Sequence, residues 1–118
     1  MSKDFIMEAI NEAKKAAKKL EVPVGAIAVK DGKILARAHN TRESSHDATA
    51  HAEILCIRKA GKKLGGWRLH QVTLYVSLKP CPMCREAIKQ ARIKKVIVAP
   101  KKYGNILTNF FVKLRKTK

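Results

Sequence analysis

The chain has 118 residues, 46% of them apolar, which suffices for one domain over residues 1–118 and excludes both a second core and a disordered chain. Its 26 Lys and Arg against 9 Asp and Glu give a formal charge of +17, an imbalance that points to a polyanionic partner, nucleic acid above all. No apolar run approaches the roughly 18 residues a bilayer span needs, the start Met1-Ser2-Lys3-Asp4 is not signal-like, and three cysteines fit a disulfide framework poorly, so a cytoplasmic, membrane-free protein is expected.

In chain order, Ile6, Ile10, Ala13, Ala17 and Leu20 recur at helical spacing among lysines, and Pro23 ends that helix. Val24 to Val29 is a nearly uninterrupted apolar strand, the pattern of a strand covered on both faces. Asp31-Gly32 is a turn signal, so Lys33 to His39 returns antiparallel. Asn40 to Ala48 is polar and irregular and reads as a loop. Thr49 is the expected N-cap of a second helix, with Glu53 in its first turn and a stop near Gly61. Val72 to Ser77 is a third strand, Pro80-Cys81-Pro82 opens another helix, and Val96 to Ala99 is a fourth strand. Ile106, Leu107, Phe110, Phe111 and Leu114 mark a last basic helix. The order α-β-β-α-β-α-β-α implies an α/β fold with helices on the faces of a sheet.

Two motifs carry chemistry, His51-Ala52-Glu53 and Pro80-Cys81-Pro82-Met83-Cys84. Each is predicted at a helix start, where side chains project past the helix end, so two such ends can converge on one ion. Cys81 and Cys84 can bind one metal through both sulfurs, and His51 adds a nitrogen. A Cys₂His set leaves one tetrahedral position open, the arrangement of a catalytic zinc that lowers the pKa of water to about 7. Glu53 need not ligate; it serves as the proton carrier. Alone, a C-x-x-C also fits a redox site at a helix start. Together the two motifs match the H-x-E and P-C-x-x-C signature of zinc nucleobase deaminases. Cys56 lies five residues past His51, turned well away on a helix, and reads as a buried free thiol. His39, His46 and His70 read as ordinary surface or loop residues, His46 being placed in the loop before the metal helix.

On Glu21-Val22-Pro23-Val24-Gly25-Ala26, Asn40, His46 to Glu53, Leu74-Tyr75-Val76, Pro80 to Cys84 and Arg92-Ile93, the sequence resembles the bacterial tRNA adenosine deaminases of the cytidine deaminase superfamily. The resemblance implies a three-layer α-β-α sandwich around a mixed sheet of about four strands, the family's fifth strand being absent. It implies one zinc held by His51, Cys81 and Cys84, with Glu53 catalytic. The Ala52 N–H and Asn40 would contact the flipped purine, and Val22 with Pro23 would line the pocket. The implied substrate is the wobble adenosine of a tRNA anticodon loop, and the implied assembly a homodimer. Beyond Glu86 there is no acidic residue, and Lys101, Lys102, Arg115 and Lys116 are the expected nucleic-acid contacts. The sequence departs from the family's pattern at Lys79, where Glu is usual, and at Ala48, where Pro is usual. It also lacks several dozen residues between Asn105 and Phe110. Deaminases of single-stranded DNA, of free guanine, cytosine or cytidine, and a zinc-bearing binder without turnover are the competing readings.

Overall fold

The computed structural model describes residues 4–104. The last expected helix, with Arg115 and Lys116, lies outside the described residues.

Helix α1 spans Phe5–Lys18, and the Asp4 carboxylate caps it by accepting the Met7 N–H at 3.1 Å. Its buried face is made of Ala9, Ile10, Glu12, Ala13 and Ala16. Leu20, which the spacing assigns to that stripe, lies beyond the helix and is half exposed. It takes a left-handed φ of 61°, while its N–H and that of Glu21 return to the carbonyls of Ala17 and Ala16, both at 3.0 Å. A Schellman closure therefore ends α1 before Pro23 is reached.

Strands β1 (Gly25–Lys30) and β2 (Lys33–His39) form the expected hairpin, with Gly25 opposite His39 and one irregularity between Ala28 and Val29. Strand β3 (Thr73–Val76) pairs antiparallel with β1, and β4 (Lys95–Val98) pairs parallel with β3. Among the described residues the sheet is four-stranded, in the order β2-β1-β3-β4. Central β1 is buried along five of its six residues, as its unbroken apolar run requires.

Helix α1 covers one face of the sheet, and α3 (Ala52–Leu64) with α4 (Pro82–Gln90) covers the other. Small side chains decide how closely α3 sits. Ala52, Cys56 and Ala60 recur every fourth residue along it and meet Ala26, Ala28, Ala36 and Ala38 of the hairpin, all buried. On the opposite face α1 crosses over Gly25, where an added Cβ would stand 2.6 Å from Glu12 Cβ, 2.7 Å from Ala13 N and still nearer the Ala9 carbonyl oxygen.

The helix boundaries differ from expectation at two places. Thr49 does not cap α3, because its N–H and hydroxyl are both bound to the Asp47 carboxylate, at 2.9 and 2.7 Å; His51 is the cap residue. Nor does α3 stop at Gly61. It runs on to Leu64 and closes at Gly65 (φ 74°), where the N–H groups of Gly65 and Gly66 return to the Gly61 carbonyl. The Asn40–Ala48 loop contains a single helical turn, α2 (Arg42–Ser45). A short 3₁₀ turn, Lys101–Tyr103, follows β4. No helix among the described residues is long and apolar enough to cross a membrane.

Candidate metal centre and its cavity

The two long helices on the inner face begin with candidate ligands. His51 and Cys81 both occupy the cap position, in extended backbone conformations (φ −74°, ψ 150° and φ −71°, ψ 169°). The extended cap turns each side chain off its helix toward the other helix's start. Pro82 at the first position of α4 has no N–H to leave unpaired there, and the Cys84 N–H approaches Cys81 Sγ at 3.5 Å, tying the two thiols into one turn.

The ligand atoms of His51, Cys81 and Cys84 all lie within 4.8 Å of one another. His51 Nδ1 stands 3.6 Å from Cys81 Sγ and 3.4 Å from Cys84 Sγ. Metal–sulfur and metal–nitrogen bonds of zinc length, about 2.3 and 2.0–2.1 Å, put their donor atoms about 3.5–3.6 Å apart at the tetrahedral angle. The cage therefore fits a tetrahedral cation of that size, and it presents Nδ1, a choice between ring nitrogens that the sequence leaves open. Burial, with a smaller contribution from Arg42, holds the His51 imidazole below its usual pKa, which favours the neutral form a metal needs. Burial and then the neighbouring Glu53 carboxylate push the Cys84 thiol well up. Without a cation nearby, this pocket disfavours a thiolate.

Glu53 is 3% exposed, and its Oε1 is the one buried side-chain polar atom without a partner among the described residues. Burial raises its carboxyl above the usual range. A buried oxygen without a hydrogen bond costs about 1–3 kcal/mol, so an ordinary structural site would have paired it. Glu53, His51 and Cys81 share the wall of a cavity of about 160 Å³.

That cavity also takes Val22, Val24, Asn40 and Leu78, with Arg42 and Lys79 among its lining residues. Pro23, between the two valines, instead lines a small void with Ile10 and Ala13 on the α1 side. A γ-turn centred on Pro23, in which the Val24 N–H donates to the Val22 carbonyl at 2.8 Å, accompanies this split. Asn40 is 5% exposed, and its Oδ1 accepts the Arg42 N–H at 2.9 Å. Ala52 is fully buried as the first residue of α3, where an N–H has no intrahelical acceptor. Lys101 and Lys102 are exposed on the 3₁₀ turn. A larger groove, of about 660 Å³, runs between α3 and α4 past Ile57, Gly61, Trp67 and Ala87, and none of the cage residues lines it.

Two features of the surroundings escape sequence reading. Glu21, 1% exposed, accepts the backbone N–H groups of Glu43 and Ser44 at 3.0 and 2.7 Å and so holds α2 in place. Burial works against its charge, but these bonds outweigh it and keep the carboxyl low. No local pattern marks such a residue, because its partners lie more than twenty positions away. His39 is not an ordinary surface histidine: its Nδ1 lies 3.1 Å from Oε1 of buried Glu12, which also pairs with Lys15 and Arg37. His46 and His70 are exposed and absent from the cavity, and Cys56 is fully buried, its thiol pushed up to about 12 by that burial.

A mixed sheet sandwiched by helices, with a His-Cys-Cys cage where two helix starts meet, defines the cytidine-deaminase-like class of fold. The chain belongs to the family described as the cytidine and deoxycytidylate deaminase zinc-binding region, which matches residues 1–100. It is 55% identical over 93 residues to the tRNA-specific adenosine deaminase of Bacillus subtilis, covering 79% of this chain and 58% of that protein. With the Aquifex aeolicus tRNA-specific adenosine deaminase it shares 46% identity over 113 residues, covering 93% and 75%. The chain thus spans little more than half the length of the Bacillus relative. Among solved structures, one from studies of A-to-I editing by tRNA:A34 deaminases superposes with a TM-score of 0.75 at 46% identity, covering 82% of this chain and 78% of that one. Guanine deaminase from Bacillus subtilis superposes at 0.78 with 45% identity, covering 80% and 61%.

Proposed function

We propose that the chain is a zinc-dependent hydrolase that removes the exocyclic amine of adenosine in nucleic acid, the wobble adenosine of a tRNA anticodon loop, leaving inosine. The observation that carries this reading is Glu53: a buried carboxylate with a free Oε1, beside three metal donors, in a cavity that also holds Asn40.

His51 Nδ1, Cys81 Sγ and Cys84 Sγ would hold the zinc, which when bound supplies an acidified water at neutral pH. The chain's own groups do the rest. Asn40 spends its carbonyl oxygen on the Arg42 N–H, which leaves its amino group to donate to a ring nitrogen of the base. The free Ala52 N–H gives a second donor, and Val22, with Val24 where Pro23 was expected, grips the ring faces. Glu53 Oε1 would take one proton from the water as its oxygen adds to the amine-bearing carbon and pass that proton to a ring nitrogen. It would then take the remaining hydroxyl proton and give it to the amine, which leaves as ammonia while the carbonyl forms.

The relatives named tRNA-specific adenosine deaminase and the charge of +17 support a tRNA substrate. In this reading Lys101 and Lys102 contact the RNA with Arg115 and Lys116, the protein works in the cytoplasm, and two copies pair. Light scattering should give twice the 13.2 kDa of one chain. A second reading, deamination of free guanine, draws on the 45% identity to a guanine deaminase. One assay separates them. The protein is incubated with a tRNA anticodon stem-loop, single-stranded DNA, guanine and cytidine, and the product that has lost ammonia is identified. Inosine in the stem-loop is expected. Xanthine alone would transfer the assignment to guanine, and no turnover of any substrate by zinc-loaded protein would overturn both readings.

A further inference from the structure

Arg42 and Lys79 are cations lining the cavity that holds Glu53 and the cage, and neither takes part in an ion pair among the described residues. Both are exposed. They reach the cavity from different elements. Arg42 opens α2 just after β2 ends at His39, and Lys79 lies three residues past the end of β3 at Val76. The pairings Gly25–His39 and Ala26–Val76 put these two strand ends at the same edge, on either side of central β1. The two cations therefore rise on opposite flanks of the β1 entry segment, whose Val22 and Val24 line the cavity.

The arm that carries Arg42 is held. Asn40 accepts the Arg42 N–H, and the buried Glu21 carboxylate fixes the next two backbone N–H groups. The cavity is also small. Its volume of about 160 Å³ falls well below the roughly 300–1,000 Å³ of pockets that enclose a whole drug-sized ligand. A base fits inside; a sugar and its phosphates stay outside, where the two cations stand. The walls include no acidic side chain other than Glu53.

We propose that Arg42 and Lys79 form a two-armed clamp for the phosphates on either side of the reacting nucleoside, so that the site selects a nucleotide within a strand over a free base or nucleoside. Arg42 offers a planar fork to one phosphate and Lys79 a point charge to the other. The clamp rests on the reading of the cavity as a base-deaminating site.

Binding tests it without turnover. A fluorescein-labelled trinucleotide of RNA with a central adenosine is titrated against the zinc-loaded protein across a salt series, by anisotropy. Arg42→Gln and Lys79→Gln should each reduce the log–log salt slope by about 0.7, the value for one phosphate contact on a single strand. Lys79→Arg should restore it, and Lys33→Gln, at the far hairpin turn, should leave it as in the parent. Unlabelled trinucleotide should compete best, adenosine 5′-monophosphate less well and adenosine least. Slopes unchanged in both Gln variants, or adenosine competing as well as the trinucleotide, would overturn the clamp. Ammonia release measured alongside keeps the two ideas apart. Parent protein that turns over nothing yet shows the slope changes refutes the deaminase reading alone; normal turnover with unchanged slopes refutes the clamp alone.

Discussion

In the proposed reading Glu53 is the residue that would distinguish a catalytic metal site from a structural one, because a purely structural cage gains nothing from an unpaired buried carboxylate beside it. Replacing Glu53 with Gln keeps the shape and removes the proposed proton carrier. Turnover should fall by about 10²–10⁴-fold while metal analysis still finds one zinc per chain; retained turnover would discard the proton route. Cys81→Ser removes a donor that also closes the first turn of α4, so bound zinc and activity should disappear together. Both motifs were legible in the sequence because their spacing is local: His51 to Glu53 and Cys81 to Cys84 each span one helical turn. The choice of His51 Nδ1 over Nε2 was not legible. It follows from how the extended cap residue turns its ring toward a helix thirty residues away.

At the scale of elements, packing against small residues positions the helix ends. Gly25→Ala would drive a Cβ into the backbone of α1. The overpacking penalty is about 1–3 kcal/mol or more, and the urea midpoint should fall with the m-value unchanged. Glu12 ties α1 to β2 through Arg37 and His39 and pairs with Lys15 within α1. Burial opposes its charge, yet those partners prevail and hold the carboxyl below its ordinary 4.5. A carboxyl lowered on folding stabilises the native state above its unfolded pKa, and that contribution is lost as pH falls through the folded value. The stability gap between the parent and Glu12→Gln should therefore be full at neutral pH and close progressively below about 4.5. A gap that widens on acidification would contradict the network. Strand and helix types followed from periodicity, whereas α2 did not: one helical turn carries no period, and it stands because Glu21 holds it from a distant part of the chain.

For the whole molecule, charge and metal set the conditions of function. With +17 on 118 residues, affinity for a tRNA stem-loop should fall steeply and linearly with log salt concentration. A flat response between low and physiological salt would remove the charge argument for nucleic acid. Chelation should lower the thermal midpoint as well as activity, since a ligand bound only by the folded state stabilises it by about 4 kcal/mol at a thousandfold excess over Kd.

The sequence by itself determined the order of the four strands and of helices α1, α3 and α4, the mixed α/β class, and the His51, Cys81 and Cys84 donors that the fold brings together. Each of these is written in residues close along the chain or in periods of two and 3.6. Only the tertiary structure decided that Val24 and not Pro23 faces the cavity, that His39 belongs to a buried ion network, that Glu21 anchors α2, and that Arg42 and Lys79 stand beside one cavity. Those facts depend on which distant segments the sheet order β2-β1-β3-β4 brings to a common edge. Pairing between strands far apart in sequence is a property of the packed chain that no local pattern records.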